Sequence, residues 1–308
     1  MEAGCGRLAA GDGWVMSKRG QIQRHLGTLK DIGGIMGAMK NISLMETHKL
    51  SRFLAHQHRV LAGIEAAAGD FLVHHPEIDI RPQAIDSSMV VAIGSQRGFC
   101  GDFNESLAEA LHQHWHQTSN NRPHILVVGR RLAAKLHKDL PVSAVFDGPS
   151  VAEEVPTVMQ RLTDTLVGLQ SSTKGQGLLS ISVFAQREGE NQVSPRAILP
   201  VPDPAAILRR HPYPPLLNIA AKEFFAQLVR HYLWAQMHDV FYSSLMAENR
   251  RRLQHMEGAM QRMDENANEL RRKVNLLRQE EITEEIEVIM LSNEALRRSR
   301  LPRSGAAK

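Results

Sequence analysis

LQHMEGAMQRMDENANELRRKVNLL, residues Leu253 to Leu277, places Leu253, Met256, Met260, Met263, Ala267, Leu270, Val274 and Leu277 at alternating spacings of three and four. Such a repeat keeps one apolar seam on one side of a helix and defines the heptad of a left-handed coiled coil. Around it there is no proline between Pro215 and Pro302 and no glycine except Gly258. The pattern therefore predicts one helix from about Leu216 to Arg298, roughly 83 residues and about 125 Å long at about 1.5 Å per residue. Taken singly, the seam side chains need only pack. The length asks for more, because a compact domain cannot bury it and something must enclose it or dock on its end. Beyond Leu277 the seam slips: Ile282, Ile286 and Ile289 sit one position off register, which rotates the apolar face toward a different partner surface.

A second helical pattern opens at Ser17, with Ile22, Leu26, Leu29, Ile32, Met36, Met39 and Ile42 on one stripe. It continues less strictly through Leu50, Leu54, Leu61 and Ile64, and predicts a helix reaching Ala68, about 75 Å at about 1.5 Å per residue. Gly33, Gly34 and Gly37 interrupt it, each costing about 1 kcal/mol against alanine in a helix interior. Either the helix bends there or something packs very close. The two terminal helices are expected to form an extended hairpin.

Between Pro76 and Pro215 short apolar runs alternate with Gly, Pro, Ser and Asn. MVVAIG (Met89 to Gly94), HILVVG (His124 to Gly129) and LLSISVF (Leu178 to Phe184) read as buried strands. Asn104 to Gln117, Arg131 to Lys138 and Val151 to Leu169 read as helices between them, and RAILP (Arg196 to Pro200) as an edge strand. This is a small α/β sheet domain. The prolines at 200, 202, 204, 212, 214 and 215 end it. The expected organisation is a disordered or misassigned start over 1–16, with Met16 as an alternative first residue, a helix over 17–70, the α/β domain over 76–215, a helix over 216–298 and a tail over 299–308.

The totals exclude several functions. Lys+Arg number 37 against 33 Asp+Glu, a mixed surface that disfavours nucleic acid as a partner. No run approaches the roughly 18 apolar residues of a membrane span. Cys5 and Cys100 lie far apart at no metal-ligand spacing, which argues for a reducing compartment and against a disulfide framework. His112, His114 and His116 place at most two rings on one helix face, so no metal site is expected. The loop RGFCG, Arg97 to Gly101, follows a strand and precedes a helix, but neither GxGxxG nor GxxxxGK[ST] occurs, so no nucleotide or other cofactor is expected. Cys100 reads as a small packed residue of a tight turn.

Four stretches resemble the gamma subunit of F-type ATP synthases, the central stalk that turns inside a ring of catalytic subunits. TLKDIGGIMGAMK (Thr28 to Lys40) is similar to the family's N-terminal helix at Ile35, Ala38 and Met39, the glycine pair being a departure. IGSQRGFCGDFN (Ile93 to Asn104) resembles its strand-loop-helix segment, with Gln96 and Asp102 as departures. AENRRRLQHMEGA (Ala247 to Ala259) and VNLLRQEEITEE (Val274 to Glu285) fit its C-terminal helix without a gap, although Val288 and Ser292-Asn293 depart from the pattern. An insertion of one residue between them would turn the helix by about 100° and displace every contact.

The resemblance implies an α/β protein in which long N- and C-terminal helices form an antiparallel coiled coil beside a small Rossmann-like domain. It implies a non-catalytic rotor with no cofactor. Its partners would be the hexamer of catalytic alpha and beta subunits, an epsilon subunit and the membrane c-ring, with no insertion into the bilayer and a peripheral place on the cytoplasmic face of the cell membrane. It also implies contacts with surrounding subunits at Met39, Lys40, Arg252, Arg278, Gln279 and Thr283; the bland alternative is a solvated polar face. Two other functions compete with the rotor: a ligand-binding α/β module dimerised through Leu253 to Leu277, and a nucleic-acid-binding coiled coil.

Overall fold

The computed structural model describes residues 18–78, 85–117, 123–136, 140–172, 178–187, 193–199 and 213–299. The expected start over 1–16, the tail beyond Ser299 and the prolines from Pro200 to Pro212 lie outside them. Two helices dominate: α1, Lys18–His74, and α5, Ala221–Ser299. The first runs six residues past the expected end at Ala68, since no proline intervenes before Pro76. The second begins at Ala221 rather than Leu216. Its first intrahelical bond runs from the Phe224 amide to the Ala220 carbonyl, 2.9 Å, and Leu216, just after Pro215, is fully exposed.

Between them lie β1 (Ile85–Ile93), α2 (Phe103–Gln117), β2 (His124–Val128), the single turn α3 (Arg130–Ala133), β3 (Val142–Phe146), a 3-10 turn at Ala152–Glu154, α4 (Val155–Ser172), β4 (Leu178–Ala185) and β5 (Arg196–Leu199). The sheet order is β3-β2-β1-β4-β5, with β3, β2, β1 and β4 parallel and β5 antiparallel at one edge. Strand β1 is central, and Met89 to Ile93 are buried on both faces, as a strand covered by helices on each side requires.

Alternation along the strands sorts the core into two layers. Val91, Ile93, Leu126, Val128 and Val183 face Val155, Met159 and Leu162 of α4, Leu50 of α1 and Phe241 and Leu245 of α5. Val90, Ala92, Ile125, Val127 and Phe184 face Phe103, Leu107 and Leu111 of α2.

Three readings from the sequence are corrected. β3 was not expected; it is an edge strand whose Val142, Ala144 and Phe146 are only half-buried, so it lacks the continuous apolar run of an interior strand. The helix expected over Arg131 to Lys138 is one turn, Arg130–Ala133, while residues 137–139 lie outside the described ones. The helix expected from Val151 starts as a 3-10 turn and becomes α-helical at Val155, with Pro156 in its first turn, where the missing amide costs nothing.

By its contacts the chain divides into two compact units, one of Met39–Glu257 and one of Met1–Ala38 with Gly258–Lys308. In the first, α1 and α5 run antiparallel: Lys40 pairs with Glu257 at 2.8 Å, Gln57 Nε2 donates to the Ala235 carbonyl at 2.8 Å, and the rings of Phe71 and Phe224 lie 4.9 Å apart. Glu46 accepts the Ala152 amide at 3.3 Å, and Lys49 reaches Glu153 at 2.8 Å, so α1 is tied to the turn that leads into α4. In the second unit Met263 packs near Gly33 and Arg19 pairs with Glu281 at 2.5 Å, again antiparallel.

Gly129 follows β2 at φ 105°, with its amide donating to the Phe146 carbonyl at 2.8 Å. A Cβ there would stand 2.5 Å from the Gly94 carbonyl oxygen and 2.7 Å from that of Ser95, both backbone atoms of the β1 end. Gly129→Ala is therefore expected to destabilise the fold by about 3 kcal/mol or more, through clash and backbone strain together, measured by urea denaturation of the full chain.

Candidate functional site: the loop after β1 and the C-terminal helix

Strands β1 and β4 are neighbours at the point where the strand order reverses, and in open α/β sheets the crevice beyond their carboxyl ends is the usual ligand site. Here α5 takes that place. After β1, the loop from Gly94 to Asp102 meets α5 through Arg252, which is 4% exposed. Its Nε donates to the Gly98 carbonyl at 3.1 Å and its Nη2 to the Arg97 carbonyl at 3.5 Å. Its Nη1 donates to Asn249 Oδ1 at 3.1 Å, and it pairs with Glu248 one turn back. After β4, Arg187 reaches the buried Asp239 of α5 at 3.2 Å, and Gln186 Nε2 donates to the Phe103 carbonyl at 3.0 Å.

The loop itself is held from inside. The Ser95 amide donates to Asn104 Oδ1 at 3.0 Å, Asn104 Nδ2 donates to Ser95 Oγ at 2.8 Å, and the Cys100 thiol donates to Ser95 Oγ at 3.3 Å. Cys100 is buried, and burial pushes its thiol above the usual value, so it acts as a packed neutral group. Phe99 stands outside this core at φ 64° and is 53% exposed. Arg251 of α5 pairs with Asp102 at 3.2 Å on the outer side of the loop.

With two backbone carbonyls, one amide oxygen and one carboxylate on it, the Arg252 guanidinium is fully engaged within the chain. Arg252, expected as a partner contact, is held by its five-donor fork inside the fold, where it orients the loop against α5. Glu248, Asn249, Ser95 and Asn104 were not singled out in the sequence, although Glu248 and Arg252 stand at the i,i+4 spacing of a helical ion pair.

The other expected contact residues divide between the two units. Met39 and Lys40 are half-buried, and Lys40 is engaged by Glu257. Arg278, Gln279 and Thr283 are exposed, the Thr283 hydroxyl donating back to the Gln279 carbonyl at 2.9 Å. Of the seam, Met256 and Ala267 are buried and Leu253, Met260, Met263, Leu270, Val274 and Leu277 half-buried. The His112 and His116 rings lie 6.4 Å apart, and no group of three or more metal-ligating side chains occurs among the described residues. No packing atom comes very close to Gly33, Gly34 or Gly37: the nearest to a Cβ at Gly33 is the Met263 methyl at 3.8 Å, and the other two face open space.

A family model described as ATP synthase matches residues 18–296, the two long helices and the sheet together. The chain belongs to the ATP synthase gamma-subunit family. Similar curated proteins include the ATP synthase gamma chains of Rickettsia akari, 22% identical with 91% of this chain and all of that one covered, and of Dichelobacter nodosus, 20% identical with the same coverage. The gamma chain of Clostridium perfringens is 22% identical over 89% of this chain and 97% of its own. Among solved structures, a chain of the Euglena gracilis mitochondrial ATP synthase OSCP/F1/c-ring assembly in rotational state 3 shares the fold, with TM-score 0.58 at 12% identity over 94% of this chain and 98% of that one. A chain of the rotor of the same enzyme gives TM-score 0.52 at 12% identity over 85% and 98%. At this divergence the family model over residues 18–296 carries the kinship.

Two measurements test the hold of Arg252 and Glu248 on the loop. Arg252→Ala leaves Glu248 buried without its cation and two carbonyls without a donor, and is expected to cost roughly 3 kcal/mol in urea denaturation. Burial pushes the Glu248 carboxyl up to about 7 from its ordinary 4.5. The folded chain then keeps a proton that the unfolded chain gives up, so this group's stabilisation is full below about 4.5 and lost as pH rises through about 7. Glu248→Gln should flatten the fall in melting temperature between these values; an unchanged slope would assign the titration to another group.

Proposed function

We propose that this chain is the central-stalk rotor subunit of an ATP synthase, a non-catalytic element that carries torque between an ion-driven membrane ring and a hexamer of catalytic alpha and beta subunits. The observation that carries the reading is the bare end of α5. Arg19 already meets Glu281 near the described start of α1. Beyond that point Ile282, Ile286, Val288, Ile289, Met290 and Leu291 are exposed, with no described helix beside them. An apolar helix end of this length needs an enclosing surface, and a ring of catalytic subunits supplies one.

Rotation of an asymmetric helix pair within a ring of threefold pseudosymmetry presents a different face to each catalytic site and biases the three toward different conformations. Arg278, Gln279 and Thr283 lie where such faces would meet the ring. The α/β unit is the proposed seat of the epsilon subunit and the c-ring. No helix among the described residues is long and apolar enough to cross a membrane, which agrees with a peripheral place on the cytoplasmic face of the cell membrane. A ligand-binding module has less support, because α5 side chains fill the crevice at the β1 and β4 ends. A homodimer through Leu253 to Leu277 has less still, because this seam packs on α1 of the same chain.

The test is reconstitution with the alpha and beta subunits and the membrane ring of its own complex. Wild type should restore ATP hydrolysis coupled to ion transport. Leu270→Pro breaks the helix at a cost of about 3 kcal/mol or more and should abolish coupling while the α/β unit stays folded. Ile282→Glu with Ile286→Glu and Ile289→Glu should lose activation of the ring with helicity by circular dichroism unchanged. Retained coupling in either variant would contradict the rotor reading.

A further inference from the structure

Within the unit of Met39–Glu257 the two long helices have an apolar surface besides the one that meets the sheet. Leu50, Leu233, Met237 and Phe241 pack into the sheet core, while a groove of about 700 Å³ opens between α1 and α5 and is lined, among the described residues, by these two helices alone. Its α5 wall is Phe224, Leu228, His231, Ala235, His238 and Tyr242, spaced alternately by four and three residues. That is the period of a coiled-coil seam. Its α1 wall runs through Val60, Gly63, Ile64 and Ala67. Walls of this period offer holes to the side chains of a third helix, whereas a strand, whose side chains alternate every two residues, does not match them.

The mouth of the groove is apolar and its flanks are basic. Val60 is 52% exposed, Trp234 42% and Phe53 38%, with the Phe53 ring 5.8 Å from Tyr242 and the Trp234 ring 5.3 Å from His238. A Cβ at Gly63 meets nothing within 4 Å, so the α1 wall is low there and admits a large side chain. No acidic residue occurs in α1 between Glu46 and Glu65, nor in α5 between Glu223 and Asp239, which is buried and paired with Arg187. Arg52 and Arg59 share the side of α1 that carries Gly63, and Arg230 stands one turn before Trp234. All three are exposed, and among the described residues none pairs with a carboxylate; Arg59 reaches the Ala55 carbonyl and the His56 ring of its own helix.

We propose that this groove is the docking site of an amphipathic helix from a separate protein partner, its apolar seam laid against Phe53, Val60 and Trp234 and acidic residues along its edges facing Arg52, Arg59 and Arg230. The apolar contact supplies the affinity, and the one-signed flanks select the partner and set its orientation. This chain's own α5 end, with Glu280, Glu281, Glu284 and Glu285 beside Ile282 and Ile286, has the same chemistry. A copy bound that way joins unlike surfaces and builds open chains rather than a closed pair, which favours a separate partner as the occupant. The site is a property of the Met39–Glu257 unit and does not rest on the rotor reading.

Peptide titration of the full-length chain, read by fluorescence anisotropy, tests it. The probe is a labelled helix of about 20 residues, the length that the groove spans at about 1.5 Å per residue, with leucines along one face and glutamates beside them. A second peptide carries lysines in place of the glutamates, and a third is the first in shuffled order. The glutamate peptide should bind at least about tenfold more tightly than either of the others. Val60→Glu with Trp234→Glu should weaken it by about tenfold or more. Arg59→Glu with Arg230→Glu should reverse the order of the glutamate and lysine peptides. Both variants should keep the wild-type melting temperature, because the changed side chains are exposed. No preference among the three peptides, or binding that Val60→Glu with Trp234→Glu leaves intact, would overturn the proposal. So would wild-type self-association in sedimentation that the same two substitutions undo, which would give the groove to a second copy.

Discussion

An α-helix of 79 residues has an apolar stripe to bury along its length and, in an isolated chain, only that chain to bury it against. Most of the architecture follows from this constraint. In the α/β unit, Phe241, Leu245 and Met246 of α5 enter the sheet core, and Ala235 and Phe224 meet α1. In the other unit, the seam from Met260 to Leu277 lies on the described start of α1, and all its residues but Ala267 are half-buried where those of the first are buried. Past Glu281 the stripe has no cover among the described residues, and Ile282, Ile286, Val288, Ile289, Met290 and Leu291 are exposed.

The same constraint puts α5 side chains at the switch point of the α/β sheet. Arg252, Glu248 and Asn249 occupy the ground that a phosphate-binding loop would need, and the loop amides and carbonyls are spent on Asn104 and on the guanidinium. A buried pair such as Glu248 with Arg252 contributes little net stability, but it fixes one register of helix against loop. For a chain that transmits force, a fixed register between sheet and helix is what matters.

Much of this was legible in the sequence, for identifiable reasons. The heptad spacing from Leu253 to Leu277 and the absence of proline after Pro215 read directly as a long helix, because period and punctuation are local properties. The buried strands at Met89, His124 and Leu178 were legible as continuous apolar runs. Strand β3 was not, because VSAVF at an edge is half-exposed and its pairing with β2 is a long-range fact. The burial of Arg252 was not legible for a similar reason: a cation among ENRRR looks solvated until the loop 154 residues away in sequence is folded against it. The glycine cluster predicted a bend or a close neighbour; no packing atom comes close to Gly34 or Gly37, and the Met263 methyl stands at ordinary contact distance from Gly33.

Single-molecule rotation tests the central claim most directly. With the catalytic ring of the assembled complex fixed to a surface and a probe attached to the α/β unit of this chain, ATP hydrolysis should turn the probe in one direction, in three equal steps per turn. Sustained hydrolysis with a stationary probe would contradict the account.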